Sequence, residues 1–440
     1  MKSRPLHVCF VTANTFEYDS RTLRAARALT ADGHRVTVVA LADARLPASQ
    51  TLDDAIAVHR PALDRRIASA LRPLPAGVRG RVAGLLGLAA DATNLPPSRG
   101  GAIEGLRGPL RRGLEILAYR RRIGPWSDAA VAAANDADVF SAKALVALPV
   151  VHRAARTTGT RFVYDIADLH VDSGRLAGMP GPVRSYLRRR ERGWMHDAAG
   201  LTAVTAPLAE EVARRFDVPL PAVVMNCRPR WRPEDPRPPS SRRLRAAAGA
   251  TRERPLVVYQ GAFREDQGIE ELLTAIELPA LRDLELTVVF LGFGRLEARL
   301  RAAAAARPER VVVLPPVPTD ELLEWTAGAD VAFIGAPPKT LNLRLTIPNK
   351  LFESIMAGVP PLVSGGTAVA RLVAEIGGGW VVEPWTAENV ARTLAEIVRS
   401  PRAKRTAMRG TVRTAALKRY NWETEQAALV GLYRSLATDR

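Results

Sequence analysis

The chain has 440 residues, enough for two or three domains of ordinary size, and its 47% hydrophobic content excludes a disordered chain. No apolar run of about eighteen residues is available to span a bilayer, and two cysteines, Cys9 and Cys227, exclude a disulfide framework or a cysteine zinc site. The formal charge of +18 and pI near 10.8 favour anionic partners, but the cations are mostly Arg and accompany Ala, Pro and Gly richness, as a coding bias alone would give.

Lys2 and Arg4 precede an apolar run too short and too quickly interrupted for a secretory leader, so a cytoplasmic location is expected. Residues 7–12 read as a strand, 14–19 as a loop, and Ser20 caps a helix over 21–31 with Gly33 just beyond its end. A second strand follows at 34–40. Strand, helix and strand in this succession form a βαβ unit, which implies a parallel sheet. The first loop leaves the C-terminal end of its strand, where open α/β sheets bind ligands. Asp19 and Arg21 are therefore site candidates, although an Asp before a helix is more often a capping residue.

From about 63 to 126 Gly, Pro and Arg dominate, and the stretch reads as an insertion of basic helices and loops. It suits either a solvated arginine-rich face or contact with an anionic membrane surface. Strands are predicted at 137–141, 161–166, 201–205 and 222–226, with helices over 145–157 and 183–196. Asp168 and His170 follow a strand end, on the face where a site belongs; a lone His there is more often structural. Residues 228–250, rich in Pro, Arg and Ser, read as a linker between a first domain at 1–227 and a second at 251–415.

The second half repeats the α/β grammar. Strands are predicted at 256–261, 286–291, 311–314, 331–334, 359–363 and 381–382, with amphipathic helix from 387 to the end. Gly292-Phe293-Gly294 is too short for a dinucleotide fingerprint, because position 297 is Glu where the third Gly would stand. The richest stretch is 346–364. Pro348 suits a first helical turn and Gly358 the residue past the helix end. Leu351, Phe352, Ile355 and Met356 fall on one side at helical spacing; Asn349, Lys350 and Glu353 fall on the other, near a helix start that favours anions. Lys350 suits a phosphate and Glu353 a pair of sugar hydroxyls, but a solvated polar face fits the same pattern. Two such halves imply an α/β protein with a ligand cleft between the C-terminal edges of its two sheets.

Motif after motif, the second half resembles the nucleotide-sugar-dependent glycosyltransferases of the GT-B fold, family 4 in particular. The pieces are Tyr259-Gln260-Gly261 with Gln267-Gly268-Ile269, then Leu291-Gly292-Phe293-Gly294, Pro315-Pro316, and Pro348-Asn349-Lys350-Leu351-Phe352-Glu353 running to Ala357-Gly358-Val359-Pro360. Asp19-Ser20-Arg21, Asp165 to Leu169, and Glu191 to Trp194 are similar to the branch that makes bacterial surface polysaccharides. Residues 416–440, with Tyr420-Asn421-Trp422-Glu423, look like the terminal helix that crosses back to the first domain.

The resemblance implies two Rossmann-like domains and a retaining transferase that moves a sugar from a nucleoside diphosphate to a saccharide or lipid-linked acceptor. It needs neither metal nor cofactor. Glu353 matches a clamp on the donor ribose, and Lys350 the cation beside the diphosphate. Gly261, Gly292, Asn349 and Leu351 belong to the donor motifs, and Asp19, Arg21, Asp168 and His170 to the acceptor side, with Asp168, Lys350 and Glu353 as the catalytic group. Three departures from the family pattern involve four positions. The first glutamate of its acidic pair falls at Leu345, its Arg and Lys of the glycine loop at Ala262 and Gln267, and its acceptor-side histidine at Ala167. Arg264 is the candidate to meet the phosphates instead, and Asp168 or His170 to replace the histidine. A nucleotide-sugar 2-epimerase and a non-catalytic nucleotide-sugar or membrane binder share this architecture. Nucleic acid is not expected, since aromatic stacking clusters are missing.

Overall fold

The computed structural model describes residues 4–62, 104–232, 234–235, 237–335 and 337–438. The N-terminal sheet contains β1 (His7–Val11), β2 (Arg35–Val39), β3 (Ser49–Thr51), β4 (Ala57–His59), β5 (Val139–Lys143), β6 (Arg161–Ile166), β7 (Gly200–Ala203) and β8 (Ala222–Val223). Its order is β3-β4-β2-β1-β5-β6-β7-β8. Every pairing is parallel except β3 with β4, an antiparallel edge hairpin that the sequence did not announce. β1 is buried at every position, as a strand covered by helices on both faces must be.

The C-terminal sheet contains β9 (Leu256–Phe263), β10 (Thr287–Gly294), β11 (Val311–Leu314), β12 (Val331–Ile334), β13 (Pro361–Ser364) and β14 (Trp380–Val382). All pairings are parallel, in the order β11-β10-β9-β12-β13-β14. Strand order reverses between β9 and β12, and that switch point is where an open sheet of this kind opens a crevice for a ligand.

The reading of 63–126 as an insertion needs correction at its C-terminal end. Residues Glu104–Ala133 are one helix that leads into β5. Its last turns belong to the domain core, with Trp126 3% exposed and Ala130 buried beside it. Gly105, Gly108, Pro109, Gly113, Gly124 and Pro125 disguised it, because single-sequence propensity counts each as a breaker. The remainder of that stretch, 63–103, and the membrane contact expected of it lie outside the described residues.

The C-terminal region is three helices, Ala387–Arg399, Arg402–Lys418 and Trp422–Thr438. The last packs on the N-terminal domain, where Trp422, Leu429, Tyr433 and Leu436 join the core formed with Leu6, Val8 and Phe10. The proline-rich segment between the domains is held against the C-terminal domain by two arginines of the second helix, Arg413 buried and Arg409 half-buried. Arg413 donates to the carbonyls of Met356 (2.5 Å), Arg232 (2.9 Å) and Trp231, and Arg409 to those of Pro239 (2.9 Å) and Ala327 (3.1 Å). Arg413→Ala leaves those carbonyls unpaired around a cavity, so chemical denaturation is expected to show a loss of ~3 kcal/mol.

Candidate active site

The Asn349–Met356 helix follows the segment after β12 and leads into β13. Pro348 is its N-cap residue rather than its first helical one. Its other end closes on Gly358 at φ +66°, with Gly358 N donating to Ile355 O and Val359 N to Ser354 O. This is the paired bonding of a helix stop that favours glycine. Leu351, Phe352, Ile355 and Met356 are buried at 0–1% exposure. Asn349, Lys350 and Glu353 face a cavity of about 370 Å³ at the β9–β12 switch point, walled by the ends of β9 and β10 and by Pro316, Val317 and Leu322. That volume is ordinary for a small-molecule site.

The glycines of the two strand ends are there for space. Gly261 pairs with Gly292 across β9 and β10, and a Cβ on Gly292 would lie 2.0 Å from Gly261 O. Gly261 itself, at φ +118°, leaves room in front of the Lys350 ammonium, whose Nζ would stand 4.0 Å from a Cβ there.

Lys350 Nζ donates to Gln267 Oε1 at 2.9 Å and lies 4.2 Å from the centroid of the Tyr259 ring. Burial pushes its pKa down to about 7, and the nearby Arg264 guanidinium pushes the same way against Glu353 and Asp266. Glu353 Oε2 accepts from Gln260 Nε2 at 2.8 Å, and Gln260 Oε1 accepts from Thr326 Oγ1 at 2.6 Å. The chain Thr326–Gln260–Glu353 fixes the carboxylate while leaving Oε1 without a protein donor among the described residues. Gln260 belongs to the Tyr259-Gln260-Gly261 motif, and its role comes from the contact of β9 with the helix. Arg264 is turned to Asp266, with Nε and Nη2 at 3.1 and 3.0 Å from the two carboxylate oxygens, so it reaches the pocket through its field and not as a wall.

Three expectations are corrected. Asp19 is buried as the cap of the Ser20–Ala31 helix, accepting from Thr22 N, Thr12 Oγ1 and Asn14 Nδ2 and paired with Lys143. Burial opposes its charge, but Lys143 and these donors bring its pKa down to about 2. Its oxygens are spent inside the domain, so it does not face an acceptor. Arg21 is likewise internal, bidentate to Asp165 at 2.7 and 2.6 Å and donating to Val224 O. Leu351 is 0% exposed in the core, so its side chain touches no pocket ligand.

Asp168 follows β6 and His170 opens a short 3-10 turn, His170–Asp172, with His170 Nδ1 3.0 Å from Asp168 O; neither residue lines the pocket. Across from them is Asn342, a residue without a role in the sequence reading. Its Nδ2 donates to Asp168 Oδ1 at 2.8 Å and its Oδ1 accepts from Leu169 N at 2.7 Å, joining the two domains. Leu345, at the place of the absent glutamate, packs against the N-terminal core, and its carbonyl accepts from Thr205 Oγ1. Asp136-Ala137-Asp138 has the spacing of an Asp-x-Asp metal motif but lies at the other end of the sheet, where it ties Arg4, His7 and Arg35. Among the described residues no group of three His, Cys, Asp or Glu is arranged to hold a metal ion, and no helix is long and apolar enough to cross a membrane.

Two parallel-sheet α/β domains with the pocket at the C-terminal edge of the second constitute the GT-B fold. Solved structures align along almost the whole chain. Sucrose-phosphate synthase from Thermosynechococcus elongatus is 16% identical with a TM-score of 0.71, covering 99% of this chain and 100% of that one. Anabaena Alr3699/HepE in complex with UDP-glucose is 14% identical at 0.63, covering 98% and 100%. WaaG, a glycosyltransferase involved in lipopolysaccharide biosynthesis, is 16% identical at 0.60, covering 96% and 98%. No curated protein matches the sequence. Residues 254–400 match the family Glycosyl transferases group 1. The C-terminal domain is therefore a glycosyl transferase group 1 domain, and the chain is an enzyme of the glycosyltransferase class.

Proposed function

We infer that the chain moves a sugar from a nucleoside-diphosphate sugar to an acceptor hydroxyl. In this reading it is a retaining, metal-independent member of family 4, acting in polysaccharide or glycolipid synthesis of the cell envelope. The observation that carries the reading is the pairing of Lys350 and Glu353, a cation and a pinned carboxylate one turn apart at a helix start inside the switch-point pocket. Charge develops on the departing nucleoside diphosphate, and a desolvated ammonium beside it lowers the barrier without a metal. Glu353 Oε1 is open to the ribose hydroxyls. The complex of Alr3699/HepE with UDP-glucose supports a nucleotide sugar as donor. A saccharide or lipid-linked acceptor would enter from the side of Asp168 and His170. The enzyme would work in the cytoplasm, at the inner face of the membrane when its acceptor is lipid-linked.

The test is a thermal-shift and turnover screen over UDP-, GDP-, dTDP-, ADP- and CDP-sugars with and without saccharide acceptors. One nucleotide sugar is expected to raise the melting temperature and to be consumed, with both responses strongly reduced in Glu353→Ala and Lys350→Ala. An epimerised nucleotide sugar formed without acceptor would mean an isomerase instead, and binding without turnover would mean a non-catalytic member. Unchanged activity in both variants would remove the site assignment.

A further inference from the structure

Arg24, on the acceptor-domain helix Ser20–Ala31, is 8% exposed and has no carboxylate at ion-pairing distance among the described residues. Its Nη2 donates to Asn226 Oδ1, while its Nε is buried without a partner. The guanidinium lies 5.7 Å from the centroid of the Trp422 ring. Asn226, itself 9% exposed, passes the contact across the domain boundary, its Nδ2 donating at 2.6 Å to Oδ1 of Asn349, the first residue of the pocket helix. Burial lowers the pKa of Arg24 to about 10. Arg228 and Arg21 push it the same way, and Glu353 is the carboxylate that opposes them. Arg21 is already satisfied by Asp165, and Arg228 donates to Thr319 O with its own Nε unpartnered.

A buried guanidinium without a counter-ion disfavours folding, and an apolar side chain of similar length would fill the space without that cost. A charge kept under those terms points to a task. Asn349, which Asn226 bonds, lines the donor pocket beside Glu353, although Arg24 itself does not. We propose that Arg24 is a positioning residue by which the acceptor domain takes part in donor binding. Tied through Asn226 to the pocket helix, its uncompensated charge is neutralised when a nucleoside diphosphate enters, which couples donor binding to the docking of the two domains. This rests on the pocket being a nucleotide-sugar site.

The experiment measures kcat, donor KM and melting temperature for the wild type, Arg24→Met, Arg24→Lys, Asn226→Ala and the double variant Arg24→Met/Asn226→Ala. The donor is one that the wild type turns over. A wild type that binds and turns over no nucleotide sugar sinks the reading of the pocket, whereas an active wild type puts Arg24 itself to the test. Arg24→Met is expected to raise donor KM and lower kcat/KM about tenfold while its melting temperature stays level or rises, since an uncompensated buried charge has gone. Asn226→Ala should show the same kinetic loss, and the double variant no more than either single, as for residues acting in series. Arg24→Lys, which keeps the charge, should retain most of the donor affinity. Hydrogen exchange over 341–345, the segment docked on the acceptor domain, should slow when the nucleoside diphosphate of that donor binds the wild type and not when it binds Arg24→Met. Failure of Arg24→Met to fold, a melting temperature that falls with the activity, or wild-type KM in both single variants would each overturn the proposal.

Discussion

Replacing Lys350 with Met is expected to lower kcat/KM by about 10²–10³-fold, the range found when one preorganised donor to a developing anion is removed. The ammonium is held by Gln267 and the face of Tyr259, and a methionine keeps the contact with that ring while removing a buried charge, so the melting temperature should hardly fall. The same residue sets a pH dependence. With its pKa lowered to about 7, Lys350 is charged below pH 7 and increasingly neutral above it in the free enzyme. A diphosphate binds the charged form, so binding at pH 8 draws a proton onto the lysine. Affinity should be level below about pH 6 and fall about tenfold per unit above pH 7, until the pKa of the complex is reached. Calorimetry of nucleotide-sugar binding at pH 8, in buffers of different ionisation enthalpy, should report an uptake approaching one proton in the wild type and none attributable to this site in Lys350→Met. Equal heats across buffers would show that Lys350 does not meet the diphosphate. The linkage to folding has a definite sign. A lysine whose folded pKa lies below its ordinary value of 10.5 disfavours the folded state while charged, so its contribution to stability improves as pH rises from 7 toward 10.5.

Why some of this was readable and some was not follows from where the partners lie. β9 to β14 announce themselves as short apolar runs between turn residues, and the Asn349–Met356 helix by a face of four apolar residues that the fold buries completely. Lys350 and Glu353 follow from the same periodicity, because the opposite face of a half-buried helix must meet the cavity. Asp19 and Arg21 sit at a strand end as a site residue should, yet their partners, Lys143 and Asp165, arrive from strands more than a hundred residues away. No local pattern distinguishes a carboxylate aimed at a ligand from one spent on a distant lysine. Gln260 and Asn342 escaped for the converse reason. Each is a neutral amide whose value comes only from what it bridges, Glu353 with Thr326 in one case and the two domains in the other. The Glu104–Ala133 helix shows the limit on propensity: its buried Trp126 anchors a helix whose glycines and prolines argue against one.

Glu353→Ala is expected to cost about 10²-fold in kcat/KM, mainly through donor KM, as charge-assisted bonds to two hydroxyls are lost at ~1.5 kcal/mol each. The carboxylate alone does not account for the site, because a free side chain on a half-exposed helix face would sample several rotamers. Gln260 Nε2 holds one oxygen and is itself held by Thr326, so the other oxygen keeps one direction. Gln260→Leu should therefore raise donor KM by about tenfold with kcat little changed, the signature of lost binding rather than lost transition-state contact. The partner of Glu353 can be identified by changing the donor as well as the enzyme. Donors lacking the ribose 2′- or 3′-hydroxyl should bind the wild type about tenfold more weakly and the Glu353→Ala enzyme no more weakly than the intact donor does. If the deoxy donors lose the same factor in both enzymes, Glu353 does not hold the ribose. The carboxylate pinned by Gln260 would then have to be serving the sugar end of the donor.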